Sequence, residues 1–235
     1  AVARLRRFAG GLDLEPAQRY GRWMSMFLVE HKLKLYTPEF AAAWGESDSL
    51  GLLESHWRGS NALAEVERFA HADVGMYLPD DLLVKMDIAS MANSLEVRSP
   101  LLDHHVVEFA ASLPVSFKLR LGAPKHLLRR VMRAYLPSGI LTRRKMGFGV
   151  PIDQWLRGGM REFARDLLLG RTATERGYFE PATLQRYLDE HESGQAQHHM
   201  RIWGLIMLEL WHQTFIDRRP NLDQTGAPTS LPTLS

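Results

Sequence analysis

The amino-acid sequence predicts an all-α protein, because apolar residues recur at helical spacings along most of its length and alternating strand patterns are almost absent. With 235 residues, 45% of them hydrophobic, the chain can form one large domain or two small ones. No internal repeat or clear linker interrupts the pattern. We therefore expect one helical part over residues 1–217.

Prolines at first helical positions mark the starts of several predicted helices. Pro16 begins a helix with an aromatic face of Tyr20, Trp23 and Phe27. Thr37 can cap a helix and is followed by a proline, so the start of another helix is predicted there. The later apolar stripes are Leu63, Val66 and Ala70; Leu127, Val131 and Tyr135; and Leu184, Tyr187 and Leu188 in a helix that Pro181 begins.

The helix that carries Leu127, Val131 and Tyr135 is predicted to begin at Pro124. It is predicted to end near Pro137, because proline cannot continue a helix. Its cations, Lys125, Arg129, Arg130 and Arg133, are expected to spread over the remaining faces. The last helix, about residues 198–216, is apolar nearly all round and is expected to be buried on most sides. Residues 218–235 hold three prolines, a glycine and little to bury, which predicts disorder.

Composition excludes several classes of site. The sequence has no cysteine, which rules out disulfides, thiolate nucleophiles and cysteine-based zinc or iron–sulfur sites. Its basic N-terminus lacks the apolar stretch of an export signal, and its apolar runs are shorter than the roughly 20 residues of a membrane span. A cytoplasmic protein without membrane contact is therefore expected. Because the sequence begins with Ala1, we also expect a fragment or a processed product.

A predicted helix in the middle of the chain carries a polar ridge of Asp87, Ser90 and Ser94 at spacings of three and four. The ridge either presents an acid and two hydroxyl groups to a ligand or forms a solvated face. The sequence leaves both interpretations open, and we include Asp87 among the candidate cofactor-binding residues.

The other charged groups of this region are predicted to be structural. Asp81 and Lys85 have the spacing of a helical ion pair. Glu96 and Arg98 point to one side of an extended segment and are expected to pair and fix a turn. Asp103 precedes an apolar helical stripe, which makes it a natural N-cap.

Positive charge is concentrated in residues 118–151, which hold nine Lys or Arg side chains and no Asp or Glu. The segment ends in a glycine-containing loop, residues 143–151. Lys145 is the candidate catalytic residue, because flexible backbone can bring its compact charge to a phosphate or a developing oxyanion. The alternative is an exposed basic loop.

Two pairs of adjacent histidines suggest a metal site, but the pattern does not support one. His104 and His105, and likewise His198 and His199, point about 100° apart on a helix instead of converging. No metal ligand is therefore predicted, and these histidines are expected to be solvated or to cap helices.

Two long segments, residues 91–103 and 143–151, closely resemble the C-terminal part of glutamine-hydrolysing asparagine synthetases. The first reads Met-Ala-Asn-Ser-Leu-Glu-Val-Arg-Ser-Pro-Leu-Leu-Asp and the second Arg-Arg-Lys-Met-Gly-Phe-Gly-Val-Pro. Weaker similarity extends from the region of Arg4 to the last helix. Two long motifs in the right order make the resemblance specific.

The resemblance implies an ATP-dependent amidotransferase that adenylates a carboxylate, that of aspartate. Ammonia, released from glutamine by a separate domain, then displaces AMP. Lys145 matches the family's lysine in the Arg-x-Lys-x-Gly-Phe-Gly loop, where it is thought to stabilise charge. By motif position, Arg143, Arg144, Gly147 and Gly149 would belong to the closing loop and are the other candidate cofactor-binding residues.

The sequence also departs from the family. It lacks the Ser-Gly-Gly-x-Asp-Ser loop that holds the ATP pyrophosphate and the Ser-Gly-Glu-Gly-x-Asp-Glu segment with the magnesium-binding carboxylate. ATP and Mg²⁺ are therefore implied by the resemblance, while their main binding motifs are absent. The chain resembles only the helical C-terminal portion of a PP-loop ATPase (adenine-nucleotide α-hydrolase-like) synthetase domain, with the parallel sheet upstream.

The expected partners are the upstream nucleotide-binding and glutaminase regions, or a partner chain, and an aspartate-like carboxylate substrate. The chain alone is expected to be inactive, to expose an apolar or basic surface and to self-associate as a homo-oligomer. The acceptor stays open, because relatives of this fold make asparagine, close β-lactam rings, cyclise peptides or amidate envelope sugars.

Two alternatives from other classes are a nucleic-acid-binding helical module and a purely structural helical domain. The basic segment permits the first. Against it stand a net charge of only +2 and cations expected around a helix instead of on one face. The second would explain the apolar stripes but not the glycine loop.

Overall fold

A computed structural model of the chain describes residues 9–45, 49–120, 123–143 and 149–217. Within these ranges most residues are helical. The extended pairings are an antiparallel contact of Leu119–Arg120 with Ala123–Pro124 and an isolated bridge between Tyr36 and Phe179. The all-α prediction is confirmed.

In chain order, the helices begin and end as follows. They are α1 (Pro16–Met24), α2 (Val29–Leu35), α3 (Pro38–Trp44), α4 (Gly51–Gly59), α5 (Glu65–Gly75), α6 (Val84–Met91), α7 (His104–Ser112), α8 (Val115–Lys118), α9 (His126–Met132), α10 (Ser138–Thr142), α11 (Ile152–Arg157), α12 (Arg161–Leu169), α13 (Arg171–Glu175), α14 (Pro181–Glu192) and α15 (His199–Trp211). The strands are β1 (Leu119–Arg120) and β2 (Ala123–Pro124), and irregular helical turns cover Leu78–Leu83, Pro100–Leu102 and His212–Ile216.

The chain divides into two compact units. Unit I comprises Ala1–Ser25 and Ser47–Phe148, and unit II comprises Met26–Glu46 and Gly149–Ser235. The single helical part expected over residues 1–217 stays a prediction. The tail, residues 218–235, lies outside the described residues.

The first part of unit I is a packed group of α1, α4 and α5. Gly21 of α1 allows close approach, since an added Cβ would lie 2.5 Å from a Leu50 methyl group. The ring of Phe69 contacts the rings of Tyr20 and Trp57, with centroid separations of 4.6 and 4.4 Å. Apolar and aromatic contacts therefore hold these three helices together.

The described residues in the rest of unit I form no comparable core. Among the described residues between 76 and 143, none is buried. Large apolar side chains are exposed throughout this stretch, including Ile88 at 64% and Tyr135 at 76%. We call the exposed apolar side chains of residues 83–140 the open apolar surface.

Unit II has a continuous hydrophobic core. Helices α12, α14 and α15 contribute its centre, where Ala164, Leu184, Ile202 and Ile206 are at most 3% exposed. Leu35 of α2 is also buried there. These positions follow the apolar stripes, so the stripe predicted after Pro181 is confirmed.

Backbone contacts join the two chain segments of unit II. The amide of Glu180 donates to the carbonyl of Leu35 at 2.8 Å, and that of Thr37 donates to Tyr178 at 3.0 Å. The Thr37 hydroxyl also caps α3 by accepting from the amide of Phe40 at 3.2 Å, as predicted. The turn before this contact needs Gly177, whose φ of +68° lies in the left-handed region.

Four sequence expectations about helices were wrong. Phe27 lies beyond the end of α1 and packs on the core of unit II. Leu63 precedes α5 and is 98% exposed. Pro124 lies in β2, which pairs antiparallel with β1, and α9 begins only at His126. The last helix is buried on one face only, with Met207 and Trp211 exposed on the other.

Candidate functional site

The predicted glycine loop lies only partly within the described residues. Lys145, Arg144 and Gly147 lie outside them, so their roles stay predictions. Arg143 and Gly149 stand at the two ends of the undescribed stretch.

Arg143 follows helix α10, and its amide donates to the carbonyl of Gly139 at 3.1 Å. Its side chain is exposed. Gly149 is not among the glycines of the described chain with a positive φ, and an added Cβ there would meet no atom within 4 Å. Its backbone therefore does not require glycine in this conformation.

The polar ridge of helix α6 is shorter than the sequence suggested. The Ser90 hydroxyl donates to the backbone carbonyl of Asp87 at 3.1 Å. Ser94 lies beyond the helix with a φ of +56°, in the left-handed region. The amide of Leu95 donates back to Ser90 and that of Ser94 to Met91, which is the hydrogen-bond pattern of a Schellman C-terminus.

Ser94 therefore ends the helix, although left-handed backbone costs a residue with a side chain about 1–2 kcal/mol. Asp87 remains on the exposed face. Its carboxylate has no hydrogen bond or ion pair with the part of the chain that the structure describes. An exposed acid of this kind suits either a ligand or solvent, so both interpretations of Asp87 stay open.

The ion pairs and the helix cap predicted for the neighbouring charges are confirmed. Arg98 donates from Nε to Glu96 Oε1 at 2.7 Å, and both side chains are exposed. The carboxylate of Asp103 accepts from the amide of His105 at 2.9 Å and caps α7. Lys85 Nζ lies 3.9 Å from Asp81 Oδ1. Local spacing was sufficient to identify these interactions.

The basic helix α9 shows an arrangement that sequence reasoning missed. His126, Arg129, Arg130 and Arg133 are spaced by three, four and seven residues and line one cavity of about 960 Å³. The expectation that these arginines spread around the helix was therefore wrong. Their spacing is that of one helical face and could have revealed it. The cavity is completed by Arg120, Ser138, Leu141 and Thr142.

Within the part of the chain that the structure describes, the arginines of this cavity have no carboxylate oxygen within 4.0 Å. None of Arg120, Arg129, Arg130 and Arg133 forms an ion pair with another described residue. By contrast, Lys118 just before them pairs with Glu67 at 2.9 Å. The cavity therefore carries uncompensated positive charge.

Unit II contains a buried histidine cluster that includes His198, which was expected to be solvated or to cap a helix. His198 Nε2 lies 2.6 Å from Glu190 Oε2, and its Nδ1 lies 2.6 Å from Arg201 Nη1. Because arginine can only donate, Nδ1 must accept and Nε2 must carry the proton toward Glu190. Burial lowers the pKa of this ring, against the opposing effect of the Glu190 carboxylate.

His191 lies beside this pair and is 1% exposed. Burial lowers the pKa of His191, and the nearby Arg157 guanidinium lowers it further. The carboxylate of Asp153, 3.8 Å away, acts in the opposite direction. His191 therefore favours the neutral form in the folded chain.

Within the described ranges, no three His, Asp or Glu side chains group closely enough to hold a metal ion. The same ranges contain no helix with the length and apolar character of a membrane span.

A sequence model of the asparagine synthase family matches residues 5–213. A Mycobacterium tuberculosis protein whose name places it among glutamine-hydrolysing asparagine synthetases is 33% identical, over 94% of this chain and 33% of its own length. Asparagine synthetase 1 of Bacillus subtilis is 30% identical over 71% of the chain and 26% of its length. The chicken enzyme is 28% identical over 77% of the chain and 35% of its length.

The chain thus spans about a third or less of the length of the first two of these relatives. No solved structure matches it significantly.

Proposed function

This chain belongs to the asparagine synthase family, and we propose that it is the C-terminal helical part of an ATP-dependent amidotransferase. The complete protein would adenylate a side-chain carboxylate, that of aspartate, and form the amide with ammonia from glutamine. The observation that carries this proposal is the Arg-x-Lys-x-Gly-Phe-Gly motif of residues 143–149, which lies at the end of a segment with nine Lys or Arg residues and no Asp or Glu.

The chemistry requires positive charge that can approach the reacting carboxyl group. Lys145 would place a compact ammonium group near the oxyanion that develops when ammonia attacks. Arg143 and Arg144 would hold phosphate oxygens through their planar guanidinium groups. Gly147 and Gly149 would let the loop close over the substrate and open again.

ATP, when bound, supplies the adenylyl group that activates the carboxylate. Arg143 is exposed and could bind phosphate oxygens, and Asp87, which has no ion pair with another described residue, could accept a hydrogen bond from a ligand hydroxyl group. The described residues bring no group of three metal ligands together, so we assign no residue of this chain to Mg²⁺.

The open apolar surface indicates how this part would join the rest of the enzyme. Ile88 and Phe109, on helices α6 and α7, are 64% and 62% exposed. Large exposed apolar surfaces mark protein contacts. We assign this surface to the nucleotide-binding region of the complete protein, since the relatives are about three times as long as the matched chain. Alone, the chain would self-associate through it.

The test is the substitution Lys145→Ala in the complete protein, the chain together with its upstream regions. Losing one group that stabilises developing charge costs about 10²–10³ in kcat. The assay follows asparagine and pyrophosphate production from ATP, aspartate and glutamine. The matched control is Lys34→Ala, which removes an exposed lysine from α2 of unit II and should leave the rate unchanged.

An unchanged rate in the Lys145→Ala protein would overturn the catalytic assignment. ATP- and aspartate-dependent release of AMP by the 235-residue chain alone would contradict the proposal that it is one part of the enzyme.

A further inference from the structure

We propose that the cavity beside helix α9, which we call the arginine cavity, binds a small ligand carrying two or more phosphate groups. It is lined by Arg120, His126, Arg129, Arg130 and Arg133. Binding there does not require that the chain forms amides. The charge, geometry and size of the cavity each support this class of ligand.

Charge is the first support. The lining contains four arginines and one histidine and no Asp or Glu. Arg129 and Arg133, four residues apart, repel each other, although the helix dipole favours cations near the C-terminus of α9. A bound anion would remove this repulsion. Elsewhere in unit I, Lys118 and Arg98 have carboxylate partners at 2.9 and 2.7 Å.

Geometry is the second support. Arginine side chains bind phosphate through two parallel hydrogen bonds, and several arginines around one space can share one polyphosphate. Arg120 reaches the cavity from β1, Arg129 from α9, and Arg133 from the C-cap position directly after α9. The cations therefore surround a concave space from two elements of unit I.

Size is the third support. The cavity volume of about 960 Å³ falls within the usual range for small-molecule sites, about 300–1,000 Å³. The lining also includes the hydroxyl-bearing Ser138 and Thr142 and the apolar Leu141. A ligand with both phosphate groups and an organic portion would match this mixed lining.

A small ligand fits better than a nucleic acid. Helix α9 has seven residues and is therefore about 10 Å long, at about 1.5 Å per residue. Only one face of this short helix carries the cations, and they surround a cavity instead of forming an extended stripe. The net charge of the chain is only +2. Tighter binding of a DNA duplex would therefore contradict the proposal of a small ligand.

The experiment is calorimetric titration of the 235-residue chain with inorganic pyrophosphate and tripolyphosphate, at low salt and without divalent cations. We expect saturable binding, tighter for tripolyphosphate because it carries more charge. Hydrogen exchange in the presence of pyrophosphate should slow in peptides that cover residues 120–142 and not in those of unit II.

The variant is Arg129→Gln with Arg130→Gln. It should weaken pyrophosphate binding at least tenfold, because it removes two charge-assisted hydrogen-bonding groups of about 1.5–3 kcal/mol each. Replacement of both arginines by lysine keeps the positive charge but removes the planar guanidinium groups that can donate two parallel hydrogen bonds. This variant should bind pyrophosphate with intermediate affinity. The control, Arg171→Gln with Arg186→Gln, makes the same charge change at half or more exposed side chains of unit II. It should leave the affinity unchanged.

Three results would overturn the proposal. One is the absence of pyrophosphate and tripolyphosphate binding by the folded chain. Another is an equal loss of affinity in the two double-glutamine variants, which would mean nonspecific attraction. The third is tighter binding of a random DNA duplex with a steep salt dependence that Arg129→Gln with Arg130→Gln abolishes, which would assign the cavity to nucleic acid.

Discussion

The arginines of unit II and those of the arginine cavity in unit I have the same chemistry and opposite surroundings. In unit II, Arg165 lies 2.7 Å from Glu192, and Arg176 lies 2.7 Å from Glu209. Arg157 and Arg161 also have carboxylate partners, at 3.0 and 2.8 Å. The cavity arginines have none among the described residues. The first set fits a structural role, and the second fits binding.

The burial of apolar side chains also differs between unit II and unit I. Ile202 and Ile206 in unit II are each 1% exposed, whereas Ile88 in unit I is 64% exposed. The same residue type therefore contributes core packing in one unit and exposed surface in the other. Unit II has a core of its own, while residues 76–143 of unit I present apolar side chains to solvent.

The largest expected effect tests the charge contrast. Arg176 contacts Glu209 through two hydrogen bonds, at 2.7 and 3.0 Å, and also pairs with Asp217. Substitution Arg176→Ala leaves the buried Glu209 carboxylate without this partner and should cost about 3–5 kcal/mol in the free energy of unfolding. Urea unfolding followed by circular dichroism measures it.

The matched substitution is Arg171→Ala, whose side chain is 88% exposed and lies 3.5 Å from Glu175. An exposed pair contributes about 0–1 kcal/mol. An equal loss of unfolding free energy in Arg176→Ala and Arg171→Ala would show that burial does not determine how strongly these ion pairs stabilise the fold.

The burial contrast predicts a slightly smaller effect. Ile206→Ala should cost about 2–5 kcal/mol, because it leaves a cavity in the core of unit II. Ile88→Ala in the 235-residue chain should change the free energy of unfolding by less than about 0.5 kcal/mol, since surface substitutions have small effects. Chemical denaturation of the two variants tests the difference.

The same Ile88→Ala substitution in the complete protein sharpens the comparison. If the nucleotide-binding region covers the open apolar surface, the cost there should rise toward that of Ile206→Ala. A small cost in both contexts would contradict the proposed docking of that region on α6.

The smallest expected effect concerns pH. The pKa values of His191 and His198 are lowered mainly by burial, so below about pH 6.5 the unfolded chain binds more protons than the folded one. The contribution of these two neutral histidines to the free energy of unfolding should therefore be fully present above pH 6.5 and be lost as the pH falls below that value. The slope is at most about 1.4 kcal/mol per pH unit for each histidine.

The carboxyl groups act in a different pH range. A hydrogen bond from Arg165 lowers the pKa of Asp189, and one from Arg176 lowers that of Asp217, so their contribution is lost only below about pH 4. Urea midpoints between pH 7.5 and 5.5 therefore report the histidines. His191→Gln should reduce the slope in this window and the exposed His104→Asn should not. An unchanged slope in His191→Gln would exclude His191 as its source.

Short-range patterns allowed the sequence to determine much of this protein. Helix caps at Thr37 and Asp103 and the Glu96–Arg98 pair involve neighbours within three residues, so spacing alone specifies them. The apolar stripe after Pro181 likewise predicted the buried face of α14. The family signature in residues 91–103 and 143–151 is also a property of the linear sequence.

The tertiary structure decided what depends on partners far along the chain. Spacing could not show that Glu209 would meet Arg176, 33 residues earlier, or that His198 would be buried against Glu190. It also could not show that Arg120 of β1 would share a cavity with the arginines of α9, whose common face the sequence did contain. Charge neutralisation and burial are set by such distant contacts, because desolvation depends on everything that packs around a side chain. The sequence by itself therefore determined the all-α fold class and the family, and the tertiary structure decided which cations are neutralised and which remain available to a ligand.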